Sequence, residues 1–135
     1  MVSELPSGAL NYFMRIAIIG WPRTGKTTLG LKMADELGLP YRSTDETLAM
    51  NLDWSAASEH VSTWLDEPEW VIEGVALPRA LRKWRERNNT EPPVDRIIYL
   101  RTPHEELKTG QIAMGKGLDT VMGELHGWLP MVEYL

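Results

Sequence analysis

A glycine-rich stretch, GWPRTGKTT at Gly20 to Thr28, limits the folds open to this chain more than any other feature. It directly follows the apolar run MRIAIIG, which is typical of a strand buried on both faces. The spacing Gly20-x-x-x-x-Gly25-Lys26-Thr27 is that of a loop whose backbone N–H groups turn inward around phosphate oxygens. A helix completes such a loop, because its N-terminus adds further donors. The sequence therefore predicts a strand, a phosphate-binding loop and a helix, in that order.

Helix and strand patterns alternate through the rest of the chain. The segment after the loop repeats Leu29, Met33 and Leu37 at helical spacing and stops at Gly38, shortly before Pro40. The other predicted strands are a short one within PYRSTDE and two apolar ones, WVIEGV and DRIIYLR. This order predicts an α/β fold of three layers, with a short parallel sheet of about four strands between two layers of helices.

Capping patterns mark two helix starts. Ser43 and Glu46 have the spacing of a capping box for a helix that begins near Asp45. The stretch TPHE at 102–105 combines a cap residue, a first-turn proline and a capping-box acid. From there to Leu135 we expect helix, interrupted near the glycines at 110, 115, 117 and 123.

Composition narrows the class of protein. The 135 residues suit one domain, with residues 1–13 as a leader and residues 14–135 as the folded unit. The absence of cysteine excludes a disulfide framework and a thiolate metal site, and it predicts a cytoplasmic protein. No apolar run approaches the roughly 20 residues of a membrane span. The net charge of -5 argues against nucleic acid or an anionic membrane surface as a partner.

The loop supplies the predicted contacts of a nucleoside triphosphate, either ATP or another. Lys26 is placed to reach the β and γ phosphates, and the Thr27 hydroxyl is placed to ligate Mg²⁺. Trp21 is expected to pack on the flank of the loop, and Arg23 is interpreted as a solvated residue or as a charge offered by the loop itself. The predicted cofactor-binding residues are Gly20, Trp21, Pro22, Arg23, Thr24, Gly25, Lys26, Thr27 and Thr28.

Three short motifs together resemble the P-loop nucleoside and nucleotide kinases, in particular the adenylate-kinase-like and shikimate-kinase-like groups. Adenylate kinases carry Gly-x-Pro-Gly-x-Gly-Lys in the loop, Ser-Thr-Gly-Asp after strand two and Asp-Gly-Phe-Pro-Arg after strand three. This chain reads GWPRTGK, STD at 43–45 and EGVALPR at 73–79. The resemblance covers roughly residues 14–107. It implies a P-loop NTPase fold that uses ATP and Mg²⁺.

The resemblance also implies roles for three residues outside the loop. Glu73 stands where the family holds an acid near Mg²⁺ and its waters, and Asp45 stands where an acid touches the acceptor or the metal. Arg79 stands where an arginine grips the phosphate or carboxylate of the acceptor. The predicted catalytic residues are thus Lys26, Asp45 and Arg79, and the predicted metal-site residues are Thr27 and Glu73.

Plainer interpretations of these three residues stay open. Glu73 suits a helix cap or a salt bridge, and Asp45 suits a helix N-terminus, where the dipole favours an acid. Arg79 suits a solvated helix face, because its segment is rich in other basic residues, namely Arg82, Lys83, Arg85 and Arg87.

The chain departs from these kinases after its last predicted strand. The kinases follow that strand with a lid whose arginines neutralise the transferring phosphoryl group. Here no arginine follows Arg101, and the segment offers only Lys108, Gln111 and Lys116. Residues 108–122 are therefore either a reduced lid or a broken surface helix. The fifth strand of the kinases is also missing from the pattern.

The leading hypothesis is a small kinase that transfers the γ-phosphoryl group of Mg-ATP to a nucleotide, nucleoside or small metabolite. The acceptor would lie between Asp45, Arg79 and the helices of residues 45–66. The alternative is a nucleotide-binding protein with a regulatory or partner-binding role and little or no transfer. A kinase of polynucleotide ends would use the basic helix 78–87, but the net negative charge argues against it. The sequence leaves the oligomeric state open.

Overall fold

A parallel sheet of five strands lies at the centre of the structure, a computed structural model that describes residues 14–135. The predicted leader, residues 1–13, lies outside the described residues. The elements in chain order are β1 (Arg15–Gly20), α1 (Lys26–Leu37), β2 (Tyr41–Ser43), a 3₁₀ helix (Thr44–Met50), α2 (Trp54–Trp64), β3 (Trp70–Glu73), α3 (Leu77–Asn88), β4 (Arg96–Leu100), α4 (Thr109–Leu125) and β5 (Val132–Tyr134). None of these helices is long and apolar enough to cross a membrane.

The strand order places β1, which leads into the predicted loop, in the middle of the sheet. The order is β2-β3-β1-β4-β5, and every neighbouring pair runs parallel. Ile18 lies beside Glu73 on one side of β1, and Gly20 lies beside Leu100 on the other. Ser43 of β2 also lies beside Glu73. The carboxyl ends of β1 to β4 therefore meet at one edge, where open parallel sheets bind their ligands.

The fifth strand corrects the predicted sheet of about four strands. β5 has only three residues, in a segment that was expected to be helical, and it pairs with Ile97–Tyr99 of β4. Three residues are too few to show the alternation that marks a strand in a sequence. Pairing with β4 sets the position of β5: the Leu135 N–H donates to the Tyr99 carbonyl (3.0 Å), and the Arg101 N–H donates to the Leu135 carbonyl (3.1 Å).

Helices cover both faces of the sheet, so the expected three layers are present. Along β1, Ile16 and Ile18 pack into a small core with α1, whereas Ala17 and Ile19 pack into a larger core with α2, α3 and α4. All four side chains are fully buried. Full burial of one isoleucine contributes about 1.5–3 kcal/mol to the free energy of unfolding, so both cores hold β1 in place.

The first capping pattern is confirmed, with one change in the type of helix. The Asp45 N–H donates to Ser43 Oγ (3.1 Å), and the Ser43 N–H donates to Glu46 Oε2 (3.2 Å). The helix that begins here is 3₁₀ rather than α. Residues 45–66 therefore contain most of a short 3₁₀ helix, followed by α2.

The second capping pattern is wrong, because α4 begins at Thr109 and not after Thr102. Residues 102–108 instead run beside the loop at residues 20–28. The His104 N–H donates to the Arg23 carbonyl (2.8 Å). This contact with a distant segment holds the backbone outside a helix.

α4 is also continuous, contrary to the expectation that its glycines interrupt it. It runs from Thr109 to Leu125, and Leu118 and Val121 on its apolar side are buried in the larger core. The sequence left a reduced lid and a broken surface helix open for residues 108–122. All of these residues except Lys108, which precedes α4, lie in an unbroken helix with a buried side.

Candidate functional site

The segment between β1 and α1 folds as a cradle. Arg23 and Gly25 both have positive φ, 61° and 89°, a backbone geometry that turns successive N–H groups towards one side. The Trp21 N–H donates to the Leu100 carbonyl at the end of β4 (3.0 Å), and Thr24 Oγ1 donates to the Trp21 carbonyl (2.8 Å). These contacts fix the cradle at the N-terminus of α1, where the helix dipole favours a phosphate.

Lys26 is the cation of the cradle. Its Nζ donates to the Trp21 carbonyl (3.1 Å). Burial lowers the pKa of Lys26 from its ordinary value, while the carboxylates of Glu73 and Asp45 act in the opposite direction. An ammonium has three donors, so Lys26 keeps two for phosphate oxygens beside its bond to the loop.

Glu73 is the buried acid of the site. It is the last residue of β3, and only 1% of it is exposed. Its Oε2 accepts hydrogen bonds from the hydroxyls of Thr27 (3.1 Å) and Tyr41 (2.6 Å). Burial, followed by the contact with Glu73, raises the pKa of Tyr41 to about 12, so the phenol is a neutral donor at physiological pH. A buried carboxylate needs such hydrogen bonds to offset the loss of water.

Gly74 follows β3 and packs against Thr44, the residue that follows β2. Its φ is 141°, and a Cβ at this position would lie 1.8 Å from Thr44 Oγ1, so no other residue fits without movement. The Gly74 N–H donates to the Ile18 carbonyl (3.0 Å). Asp45, which follows Thr44, is exposed at the same edge of the sheet, where its charge favours the charged form of Lys26.

Arg79 is a half-buried cation in the first turn of α3. Its guanidinium carbon lies 5.7 Å from the centroid of the Trp54 ring, and its Nη2 lies 3.5 Å from the point where a Cβ on Gly117 would be. Within the described chain Arg79 forms no ion pair. Arg82 and Arg87 of the same helix, by contrast, pair with acids. Arg79 is thus a cation that can take an anionic group of a ligand.

An apolar groove lies between the 3₁₀ helix and α2. It has a volume of about 260 Å³, and its lining residues are Thr47, Leu48, Leu52, Asp53, Trp54 and Ala57. Leu48 is 75% exposed and Trp54 is 49% exposed, so apolar surface faces solvent here. Because Trp54 also lies beside Arg79, the groove adjoins the free guanidinium.

The two unusual residues of the loop are engaged outside the cradle. The indole of Trp21 packs against α4 at Gly115, and its Nε1 donates to Asp119 Oδ1 (3.3 Å). The guanidinium of Arg23 is 3.0 Å from Glu105 Oε1, in an exposed ion pair. Neither side chain is directed to the phosphate position by these contacts.

Thr27 and Glu73 offer a pair of oxygen ligands that fits Mg²⁺. This ion prefers hard oxygen ligands, keeps several waters and is commonly bound through one or two carboxylates together with substrate phosphates. Residues 14–135 contain no group of three or more His, Cys, Asp or Glu that could hold an ion without further ligands. A nucleotide-bound Mg²⁺ does not need one, because the phosphates complete its coordination.

Lys26, Thr27, Asp45 and Glu73 come together at the carboxyl edge of the sheet, whereas Arg79 contacts Trp54 and α4. Pro22 lies in the loop and Thr28 in the first turn of α1. Three contacts were missed by the sequence reasoning: those of Tyr41 with Glu73, of Trp54 with Arg79, and of Asp119 with Trp21. Each joins segments distant in the chain. The only signal for Tyr41 was its position at the start of the short strand that ends in Ser43.

A larger cavity, of about 640 Å³, lies at the opposite edge of the sheet. It is bordered by Arg15 at the start of β1, Asp95 just before β4, and Trp128 after α4. The Arg15 N–H donates to Asp95 Oδ2 (2.8 Å). Because the loop and Glu73 lie at the carboxyl edge, this cavity is separate from the phosphate site.

The fold is similar to those of three solved kinases. A gluconokinase from Sinorhizobium meliloti 1021 matches with a TM-score of 0.52 over 92% of this chain and 82% of its own, at 14% identity. A shikimate kinase from Aquifex aeolicus vf5 matches with a TM-score of 0.53 over 89% and 85%, at 15% identity. The shikimate kinase from Acinetobacter baumannii in complex with shikimate gives 0.52 over 96% and 87%, at 12% identity. No protein-family model and no curated protein matches the sequence.

Identities this low concern the fold alone. The similarity nevertheless extends over most of this chain and most of each kinase. The chain therefore has an α/β fold similar to those of these solved kinases, built on five parallel strands.

Proposed function

We propose that this chain binds a nucleoside triphosphate, ATP or another, with Mg²⁺ on the loop Gly20–Thr28 and transfers its γ-phosphoryl group to a small acceptor. The observation that carries the proposal is the 3.1 Å contact between the Thr27 hydroxyl and the Glu73 carboxylate beside the phosphate cradle. A buried carboxylate at the first turn of the loop helix is suited to a metal ion that travels with phosphates. The similarity to solved kinases supports the same class of reaction.

In this proposal the loop holds the triphosphate. Its N–H groups would surround the β phosphate, and Lys26 would direct its two remaining donors towards the β and γ phosphates. Thr27 would ligate Mg²⁺, and Glu73 would hold the ion or one of its waters. Bound Mg²⁺ would neutralise charge on the phosphate oxygens during transfer.

The acceptor is proposed to lie beside Asp45 and Arg79. Arg79 has no acid partner within the described chain and can take a phosphate or carboxylate through two parallel N–H bonds. Asp45 would accept the proton of the attacking hydroxyl. The groove beside Trp54 is apolar, which suits an acceptor that carries a flat or apolar part next to its anionic group.

Charge neutralisation during transfer would depend on few groups. Arg23 and Arg101 are each engaged by an acid, at 3.0 Å and 3.5 Å. α4 would contribute only the exposed cations Lys108, at its N-terminus, and Lys116. Lysine lacks the fork geometry of arginine, so we expect slower transfer than in a kinase with lid arginines.

The engagement of Arg23 and Arg101 by acids also favours a second candidate function. This is a nucleotide-binding protein with a regulatory or partner-binding role and little or no transfer. A kinase of polynucleotide ends has less support, because Arg82 and Arg87 of the basic helix α3 are already paired with acids.

A thermal-shift experiment with Mg²⁺ and nucleoside triphosphates tests the binding step. We expect the wild-type melting temperature to rise, because a ligand that binds only the folded state stabilises it. Lys26→Ala should abolish the rise, and Lys32→Ala, an exposed lysine of the same helix, should retain it. The absence of a shift with every triphosphate would contradict both candidate functions.

Release of the nucleoside diphosphate separates the two functions. The panel of acceptors would contain nucleoside monophosphates, aromatic carboxylates and sugar acids. Release that depends on one acceptor supports the kinase, whereas binding without stimulation by any acceptor supports the regulatory role. Arg79→Lys should raise the KM of that acceptor about tenfold without changing nucleotide affinity. Arg85→Lys, on the same helix, is the matched control.

A further inference from the structure

We propose that Asp119 is a positioning residue for the phosphate-binding loop: it anchors the indole of Trp21 and thereby maintains the shape of the cradle. This inference rests on the nucleotide binding proposed above. Its basis is the set of contacts that hold the Trp21 indole, and the residues that make these contacts, Tyr99, Arg101, Gly115 and Asp119, are not predicted site residues.

Asp119 is contacted by three side chains, one from the loop and two from the end of β4. Its Oδ1 accepts hydrogen bonds from Trp21 Nε1 (3.3 Å) and from the Tyr99 hydroxyl of β4. Its Oδ2 lies 3.5 Å from a guanidinium nitrogen of Arg101. One carboxylate on α4 therefore connects the loop to the strand beside it in the sheet.

The indole of Trp21 also packs against the backbone of α4. A Cβ on Gly115 would lie 2.2 Å from an atom of the Trp21 ring, so the ring rests directly on the helix backbone. Gly115 and Asp119 are four positions apart and so lie on the same side of the helix. Gly115 contacts the indole ring, and Asp119 accepts the hydrogen bond from the N–H at the edge of that ring.

The anchored residue is also the one that organises the cradle. The Trp21 carbonyl accepts hydrogen bonds from Thr24 Oγ1 (2.8 Å) and Lys26 Nζ (3.1 Å). Its N–H donates to the Leu100 carbonyl (3.0 Å). A displacement of the indole would therefore move the peptide groups that position the loop and its lysine, and a binding site loses affinity when its supporting residues are loose.

The donors to Asp119 keep their protons at physiological pH. Burial and the hydrogen bond to Asp119 raise the pKa of Tyr99 far above its ordinary value. The indole N–H of Trp21 has no acceptor role and can only donate. Trp21 and Tyr99 thus both donate to the Asp119 side chain, and the position of Asp119 on α4 determines the position of the indole.

A double-mutant cycle tests this inference. Asp119→Asn keeps the shape of the side chain and removes its charge, and Trp21→Phe keeps an aromatic ring and removes the donor. We expect Asp119→Asn to raise the Kd of the Mg-nucleotide about tenfold in the wild-type background, because a neutral amide oxygen accepts a weaker hydrogen bond than a carboxylate does. In the Trp21→Phe background the same change should raise the Kd less than about threefold, because its target is already absent.

Glu124→Gln is the matched control, since Glu124 is on the same helix but pairs with Arg82. It should leave the Kd unchanged. An equal effect of Asp119→Asn in both backgrounds would overturn the inference, since Asp119 would then act through Tyr99 or Arg101 alone. An unchanged Kd in Asp119→Asn would overturn it as well.

Amide hydrogen exchange of the loop in the free protein provides a second readout. Exchange at Trp21 and at residues 23–26 should be faster in Asp119→Asn than in the wild type, while exchange in β3 should not change. An increase throughout the chain, or none in the loop, would contradict the anchoring role. If the wild type binds no nucleotide, the proposed function fails, and the exchange rates alone decide this inference.

Discussion

Oγ1 of Thr27 and Oε2 of Glu73 lie 3.1 Å apart, although the two residues are 46 positions apart in the chain. The strand order explains the contact. β3 is adjacent to β1, and Glu73 pairs in register with Ile18, just before the loop begins. An acid at the end of β3 is therefore placed against the first turn of α1 by the sheet itself.

Glu73→Gln should weaken the dependence of nucleotide binding on Mg²⁺. A neutral amide of the same shape can still accept one hydrogen bond, but it is a weaker ligand for a hard cation. We expect the affinity gained on adding Mg²⁺ to fall about tenfold or more relative to the wild type, as measured by calorimetric titration with and without the ion. Glu67→Gln, at an exposed position, is the control. An unchanged effect of Mg²⁺ in Glu73→Gln would argue against a metal site here.

Lys26→Met should make the free protein more stable at neutral pH. Burial lowers the pKa of Lys26 below 10.5, so folding disfavours its charged form. That cost is fully present below the lowered pKa and disappears as the pH rises towards 10.5. Thermal unfolding across this range should show the two melting temperatures converging. A less stable methionine variant at neutral pH would contradict the prediction.

Tyr41→Phe should cost stability in a way that depends on pH. Loss of the hydrogen bond to the buried Glu73 should lower the free energy of unfolding by about 1–2 kcal/mol at neutral pH. The pKa of Tyr41 is raised from 10.0 to about 12, so its contribution is complete below pH 10 and is lost as the pH approaches 12. Chemical denaturation should show the difference from the wild type narrowing over that interval. Tyr134→Phe, which removes a hydroxyl with no hydrogen bond within residues 14–135, is the control, and a loss in Tyr41→Phe that stays constant up to pH 12 would contradict the prediction.

Gly74→Ala should be far more harmful than Gly38→Ala. Both glycines have positive φ, 141° and 67°, but a Cβ on Gly74 would meet Thr44 and one on Gly38 would meet nothing within 4 Å. Backbone strain alone should cost about 1 kcal/mol at Gly38, whereas strain and overlap together should cost about 3 kcal/mol or more at Gly74. Denaturant titration of the two variants measures the difference. Equal losses would show that the ends of β2 and β3 separate easily.

Local sequence patterns are sufficient to predict the centre of the fold. The apolar run of β1, the glycines of the loop and the helical spacing of α1 are each contained within a few neighbouring residues. β5 and the segment 102–108 were not predicted, because contacts with β4 and with Arg23 determine their conformation. A capping pattern does not form a helix when another segment holds its backbone.

In the candidate site, too, some features are predicted by local sequence patterns and others depend on contacts between distant segments. Lys26 and Thr27 follow from the spacing of the loop, and the position of Glu73 follows from the end of an apolar strand. The hydrogen bond of Tyr41 and the anchor of Asp119 depend on which strands and helices are neighbours. In particular, Gly115 does not interrupt α4. Its lack of a side chain instead makes room for the Trp21 ring.

Because β1 lies at the centre of the sheet, we expect substitutions in β1 to be tolerated less well than substitutions in the edge strands. Ile16 to Ile19 are fully buried, and a strand lies on each side of them. β3 and β4 therefore separate β1 from the two edge strands, although Tyr41 of β2 contacts α1 and Glu73 directly. β2, which leads into Asp45 and the apolar groove, is itself an edge strand. Under the proposed function, substitutions of exposed residues beside β2 can alter the choice of acceptor while the strands that support Gly20 stay the same.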